Sequence, residues 1–296
     1  MLTLMKQLIF VGLLLMNTAV LATREVTDEL GRHVAASDQP RRIVCLAPSI
    51  TETVYALGLG DAVVAVTDYT TFPPEARNKP SVGGLVDPSM EKIVSLHPDL
   101  VLATWEINRR ETVEQLERYA IPVFIVHPQG LQGILASIQH IGEALNRSGQ
   151  ARELVNRLEA KWKAIATRVQ GLRRPKVFVV IWHEPVITVG DKAFITEVIS
   201  AGGGESATAD MPQAWPQISL EEVVRRAPDF LLLFRGSHGA MTLEELQRRE
   251  GWSRLEAVRR SRAIYMDERM EHPSPVIFDA LEDLATKLHP EGSRAR

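Results

Sequence analysis

Cysteine is nearly absent: Cys45 stands alone among 296 residues, so no internal disulfide can form. It sits inside the apolar run Ile43-Val44-Cys45-Leu46 and not at a processing site, which argues against a lipid-anchored start at that cysteine. An excess of one charge is lacking too. Lys and Arg number 34 against 37 Asp and Glu, and the net charge of −3 offers no basic field to hold nucleic acid or anionic lipid. The chain also lacks the compact signatures of common enzymes and metal centres: no Gly-x-Ser-x-Gly, no phosphate loop, no Cys-x-x-Cys and no His-x-x-x-His. Gly202-Gly203-Gly204 follows a predicted helix and does not precede one, so it reads as a helix stop and not as a nucleotide cradle.

What is present is an ordinary globular composition, 45% hydrophobic and 24% charged, over a length sufficient for two domains with real cores. Residues 1–22 read as a cleavable secretory signal. Lys6 is the positive region, residues 8–16 the apolar run, and Val20 and Ala22 the small residues before the cut. The apolar run is shorter than the roughly 20 residues that cross a bilayer. The mature chain is therefore expected to begin near Thr23, as a soluble protein of a bacterial periplasm.

The chain is organised around a duplication. Ser89-Met90-Glu91-Lys92-Ile93-Val94-Ser95-Leu96-His97-Pro98-Asp99-Leu100 aligns without a gap to Ser219-Leu220-Glu221-Glu222-Val223-Val224-Arg225-Arg226-Ala227-Pro228-Asp229-Phe230. Each copy predicts a Ser N-cap, acid in the first turn, a short amphipathic helix, a Pro-Asp turn and a buried strand. Two lobes of one design follow, and Glu91 and Glu221 hold equivalent places. An acid there is favourable in itself by about 0.3–1 kcal/mol through the helix dipole, so position alone leaves a functional and a purely structural role open.

Residues 25–41 read as a hairpin turning at Glu29-Leu30-Gly31-Arg32, and from residue 43 strands alternate with helices, which indicates parallel βαβ units. From 131 to 172 strand signals vanish. Residues 150–169 carry Leu154, Val155, Leu158, Trp162 and Ile165 on one helical stripe. The expected fold is α/β: two Rossmann-like lobes with parallel sheets, residues 23–143 and 174–290, joined by a single long backbone helix within 144–173. The segment 182–190 reads as a loop.

In open parallel sheets ligands bind beyond the carboxyl ends of the strands. There the first lobe places Ser49, Ile50 and Thr51 at a helix start, then Tyr69, Leu85 and Trp105; the second places Trp182, His183, Trp215, Glu268 and His272. Four of these are Tyr or Trp in a chain with 4 Tyr and 5 Trp, which suits a large, partly apolar ligand. His183 beside Glu184 and His272 beside Glu271 are the His/acid neighbours on that side, a spacing too divergent to predict a dedicated metal site. No cofactor is expected.

The run Arg42-Ile43-Val44-Cys45-Leu46-Ala47-Pro48-Ser49-Ile50-Thr51-Glu52, the loop Tyr69-Thr70-Thr71-Phe72-Pro73-Pro74-Glu75-Ala76, both repeat units and Ala214-Trp215-Pro216-Gln217-Ile218-Ser219 resemble the class III periplasmic substrate-binding proteins of ABC importers. Within that family the pattern is nearest to the receptors for vitamin B12 (cobalamin). The resemblance covers about residues 40–288. It implies a cleft that takes cobalamin, haem or a ferric siderophore, a monomeric receptor, and delivery to an ABC permease dimer at the inner membrane through Glu91 and Glu221, one per lobe. It also implies corrinoid contacts at Tyr69 and Trp215, which match the receptors' pattern. Leu85, Glu268 and His272 stand where those receptors have Trp, Asp and Arg. Glu184, Glu268 and Glu271 disfavour an anionic siderophore. A tetrapyrrole-metal chelatase on a similar frame is the alternative from the enzyme class, and the signal segment argues against it.

Overall fold

A computed structural model describes residues 23–235 and 241–290, except for the side chain of Glu268. The expected signal segment lies outside the described residues. β1 (Thr23–Thr27) and β2 (His33–Ser37) form the antiparallel hairpin read from sequence. The first lobe then runs β3 (Ile43–Cys45), α1 (Pro48–Ala56), β4 (Val63–Ala65), α2 (Met90–Ser95), β5 (Leu100–Thr104), α3 (Arg110–Arg118) and β6 (Val123–Val126). Every residue of β3, β5 and β6 is buried, as a parallel sheet covered on both faces requires. The strand order is β4-β3-β5-β6, all parallel.

Two helices follow, α4 (Gly130–Ala144) and α5 (Ser148–Val169). The second lobe holds β7 (Lys176–Val179), β8 (Trp182–His183), β9 (Val186–Ile187), α6 (Phe194–Ala201), β10 (Glu205–Ser206), β11 (Gln217–Ile218), α7 (Leu220–Arg226), β12 (Phe230–Arg235), α8 (Leu243–Arg248), α9 (Glu256–Arg259), β13 (Ala263–Asp267) and α10 (Ile277–Leu288). Its main sheet, β10-β7-β12-β13, repeats the order and the parallel sense of the first.

The duplication extends to backbone conformation. Ser89 and Ser219 both cap their helices, accepting from the N–H groups of Lys92 at 3.3 Å and Glu222 at 3.2 Å. His97 and Ala227, each just before the proline, both adopt the left-handed region, at φ 44° and 47°. Asp99 then accepts from the backbone N–H groups of Arg41 and Arg42, and Asp229 from that of Lys176. In each lobe one aspartate thus ties the entry of a central strand to the entry of its neighbour.

Residues 182–190 are not a loop. β8 and β9 pair antiparallel, and β11 joins them as a third strand. Two-residue strands carry no legible alternation. This one is set by tertiary bonds instead, among them Thr188 Oγ1 donating to the Val179 carbonyl at 2.7 Å and Ile181 N to that of Ile187 at 3.0 Å.

α5 spans about 33 Å at 1.5 Å per residue. Its stripe of Leu154, Val155, Leu158 and Ile165 is buried, and Trp162 packs on Phe278 of α10 with ring centroids 6.2 Å apart. Lys161 reaches Asp279 and Glu282 of α10 at 2.5 and 3.1 Å. One hydrophobic cluster runs from Ile43 and Leu102 of the first sheet through Leu135, Leu154 and Leu158 to Val177, Leu232 and Leu281 of the second lobe. Rotating the lobes would shear this shared core, so ligand binding is expected to leave the radius of gyration nearly unchanged. Small-angle scattering with and without ligand checks this; a drop of the size seen on hinge closure contradicts it.

Candidate ligand-binding cleft

α1, at whose start the sequence places ligand contacts, follows β3 almost directly, with Pro48 at its first turn. The helix is buried along most of its length, including two of the residues expected at the ligand. Ile50 lies in the shared core, and Thr51 is sealed with its hydroxyl donating to the Ala47 carbonyl at 3.2 Å. Ser49 is buried as well, its carbonyl accepting from Thr53 Oγ1 at 2.8 Å.

The same helix carries a residue that the sequence reading passed over. The Glu52 carboxylate is 1% exposed, and both its oxygens are engaged by the opposite lobe: Oε1 lies 2.8 Å from Nδ1 of His272, and Oε2 accepts from the Ser274 hydroxyl. A buried carboxylate without such partners would be costly. Two more contacts cross nearby. The Arg269 guanidinium sits 4.7 Å from the centre of the Phe72 ring. Glu197 of α6 accepts from the N–H of Leu131 at 3.0 Å, at the start of α4. Gly130, at φ 66°, permits that approach, since a Cβ there would stand 2.2 Å from the Glu197 carboxylate. Burial works to raise the Asp267 carboxyl, but the guanidinium and backbone N–H of Arg269 outweigh it and hold it below its usual range.

Four large apolar side chains named from the sequence are left in solvent: Tyr69 is 53% exposed, Trp105 51%, Trp215 50% and Trp182 37%. Tyr69 and Trp105 follow the ends of β4 and β5, Trp182 lies in β8, and Trp215 stands two residues before β11. The Trp182 indole N–H donates to the Glu184 carbonyl at 2.9 Å and its ring lies 5.2 Å from that of His183, which fixes the side chain despite its exposure. Half-buried Leu85 is held by Asn108, whose Nδ2 donates to the carbonyls of Leu85 and Leu46 at 2.9 and 3.1 Å. Trp105 meets His127 edge-on at 6.5 Å and lines a flank cavity of about 240 Å³ with Leu30, Asn108, Val113 and Ile125.

Glu91 and Glu221 lie in the first turns of α2 and α7, exposed, and neither makes an ion pair with another described residue. Their neighbour Glu222 differs. It is tied to Arg225 and, at 2.8 Å, to Arg226.

Residues 43–270 match the family described as Periplasmic binding protein. Among curated proteins the chain is 30% identical over 274 residues to YvrC of Bacillus subtilis (strain 168), named an ABC transporter substrate-binding lipoprotein, across 90% of this chain and 85% of the relative. It is 28% identical over 255 residues to the vitamin B12-binding protein of Photorhabdus laumondii, across 86% and 90%. Among solved structures it superposes on the periplasmic heme-binding protein RhuT of Roseiflexus sp. RS-1 with a TM-score of 0.75 and 27% identity, across 86% of this chain and 99% of that one.

Proposed function

Since the chain belongs to the periplasmic binding protein family, whose members bind substrates rather than transform them, we propose that it captures cobalamin or a related corrinoid between its lobes and hands it to an ABC importer. The observation that carries this reading is the set of half-exposed rings on both lobes, Tyr69 on the first and Trp182 and Trp215 on the second. Such faces suit a flat macrocycle, since each ring buries on the order of 150–250 Å² when covered. Cobalamin is rich in amides and largely neutral around the ring, in keeping with the acidic residues Glu184 and Glu271 on the second-lobe loops. The relative named for vitamin B12 supports the same reading. Haem is the second reading, supported by the likeness to a heme-binding protein and by the exposed Tyr69 ring; a ferric siderophore is the third. The bound molecule is cargo and not a cofactor.

The receptor is exported with cleavage near Ala22, acts as a monomer, and meets one subunit of a permease dimer through Glu91 and the other through Glu221. Two tests address the ligand. Protein incubated separately with cobalamin, haemin and a ferric siderophore, then desalted, is expected to retain the cobalamin absorption spectrum; retention of the haem spectrum alone contradicts the reading. Trp215→Ala is expected to weaken cobalamin binding by about 1–3 kcal/mol, as truncating a buried aromatic anchor does. Unchanged affinity in calorimetry, with the fold intact by circular dichroism, would make Trp215 a loop anchor only.

A further inference from the structure

β12 ends on Arg235, an exposed residue at the carboxyl edge of the second sheet. In the strand order β10-β7-β12-β13 the chain connections run outward in opposite directions from between β7 and β12, a switch point of the kind beyond which parallel sheets bind their ligands. Alternation along β12 sends Leu232 and Phe234 into the core shared by the lobes and Leu231 and Leu233 to the other face. Arg235 follows the second set. Its guanidinium carbon lies 4.8 Å from the centre of the Tyr265 ring. That ring is itself anchored, because its hydroxyl accepts from the N–H of Leu243 at 2.9 Å, at the first residue of α8.

Two other second-lobe arginines are already committed. Arg269 is bonded to Asp267 at 2.6 Å and Arg249 lies 3.5 Å from Glu184. Arg235 pairs in register with Asp267 along the strand, yet that carboxylate is turned to Arg269, and no described carboxylate pairs with Arg235. Stacking on a ring orients a guanidinium without using its N–H donors, and two of those in parallel match the two oxygens of a phosphate or carboxylate. We infer that Arg235, held by Tyr265, is an oxyanion subsite of the cleft that takes the negatively charged group on the periphery of the macrocyclic ligand. The inference rests on the tetrapyrrole-type reading above. In cobalamin that group is the phosphodiester of the nucleotide loop, and in haem it is a propionate carboxylate.

Paired ligands with and without the oxyanion separate the sources. Wild-type protein, Arg235→Gln and Arg235→Lys are titrated with cyanocobalamin, with cobinamide (the corrin without the phosphodiester), with haemin and with haemin dimethyl ester. Arg235→Gln is expected to lose about tenfold or more toward cyanocobalamin and less than about twofold toward cobinamide, with Arg235→Lys between. If haem is the cargo, the same loss falls on haemin and spares its ester. Cobinamide or the ester serves as the folding control, since a damaged fold weakens both members of a pair. Equal affinities of wild type and Arg235→Gln for the charged ligands, or equal losses within a pair, overturn the subsite alone. Wild-type protein that retains none of the four compounds overturns the ligand reading and the subsite with it.

Discussion

Reversing Glu91 and Glu221 together to lysine is expected to abolish uptake while ligand affinity stays within a few-fold. Both carboxylates stand exposed on helix starts whose caps do not depend on them, because Ser89 and Ser219 supply the capping oxygens. Neither is spent on an ion pair with a described residue, unlike Glu222. Losing one partner of a charge pair that is desolvated on docking costs about 2–5 kcal/mol, and a reversal adds repulsion, so two reversals leave no useful complex. A dipole role alone predicts something else: about 0.3–1 kcal/mol of stability lost per site and transport preserved. Uptake and melting temperature measured on the same double variant separate the two, and normal uptake with a lowered melting temperature rules out the docking role.

Glu52→Ala is expected to be among the most destabilising single changes near the seam, by about 1–3 kcal/mol, the range for leaving a buried hydrogen-bonding group unsatisfied. The carboxylate joins α1 of the first lobe to His272 and Ser274 of the second, and its loss removes both contacts and leaves the buried Ser274 hydroxyl without this acceptor. Glu52→Gln keeps the shape and one acceptor, so its cost should be smaller. Urea unfolding of the three proteins measures this. A midpoint for Glu52→Ala equivalent to less than about 0.5 kcal/mol would mean that the seam is open to water and that the two lobes are not tied there.

Much of this architecture is written in local patterns. Apolar runs such as Leu100-Val101-Leu102-Ala103 announce strands buried on both faces, and Ser89 and Ser219 announce their helices, because each signal lies within one turn or one strand. The stripe on α5 is long enough to be read with confidence in its phase. The small sheet of β8, β9 and β11 is not legible, since two-residue strands carry no alternation and β9 takes its second partner, β11, from about thirty residues away. The burial of Ile50 and Thr51 at the start of α1 was not legible, because it comes from packing against α4 and the sheet. Glu52 had one signal, a lone acid within an otherwise uncharged stretch from Ile43 to Gly60, but its partners lie at the far end of the chain. Arg235 carried no signal in the sequence, and only the structure shows that Asp267, its partner in register, is spent on Arg269.

Calorimetric titration of the wild-type protein with cyanocobalamin, with haemin as the parallel run, tests the central claim most directly. A receptor that closes its aromatic side chains over a corrin ring predicts saturable binding of one cyanocobalamin per chain, with a negative heat-capacity change from the apolar surface covered, and markedly weaker haemin binding. No saturable heat with cyanocobalamin at micromolar protein, while haemin binds one to one, would contradict it.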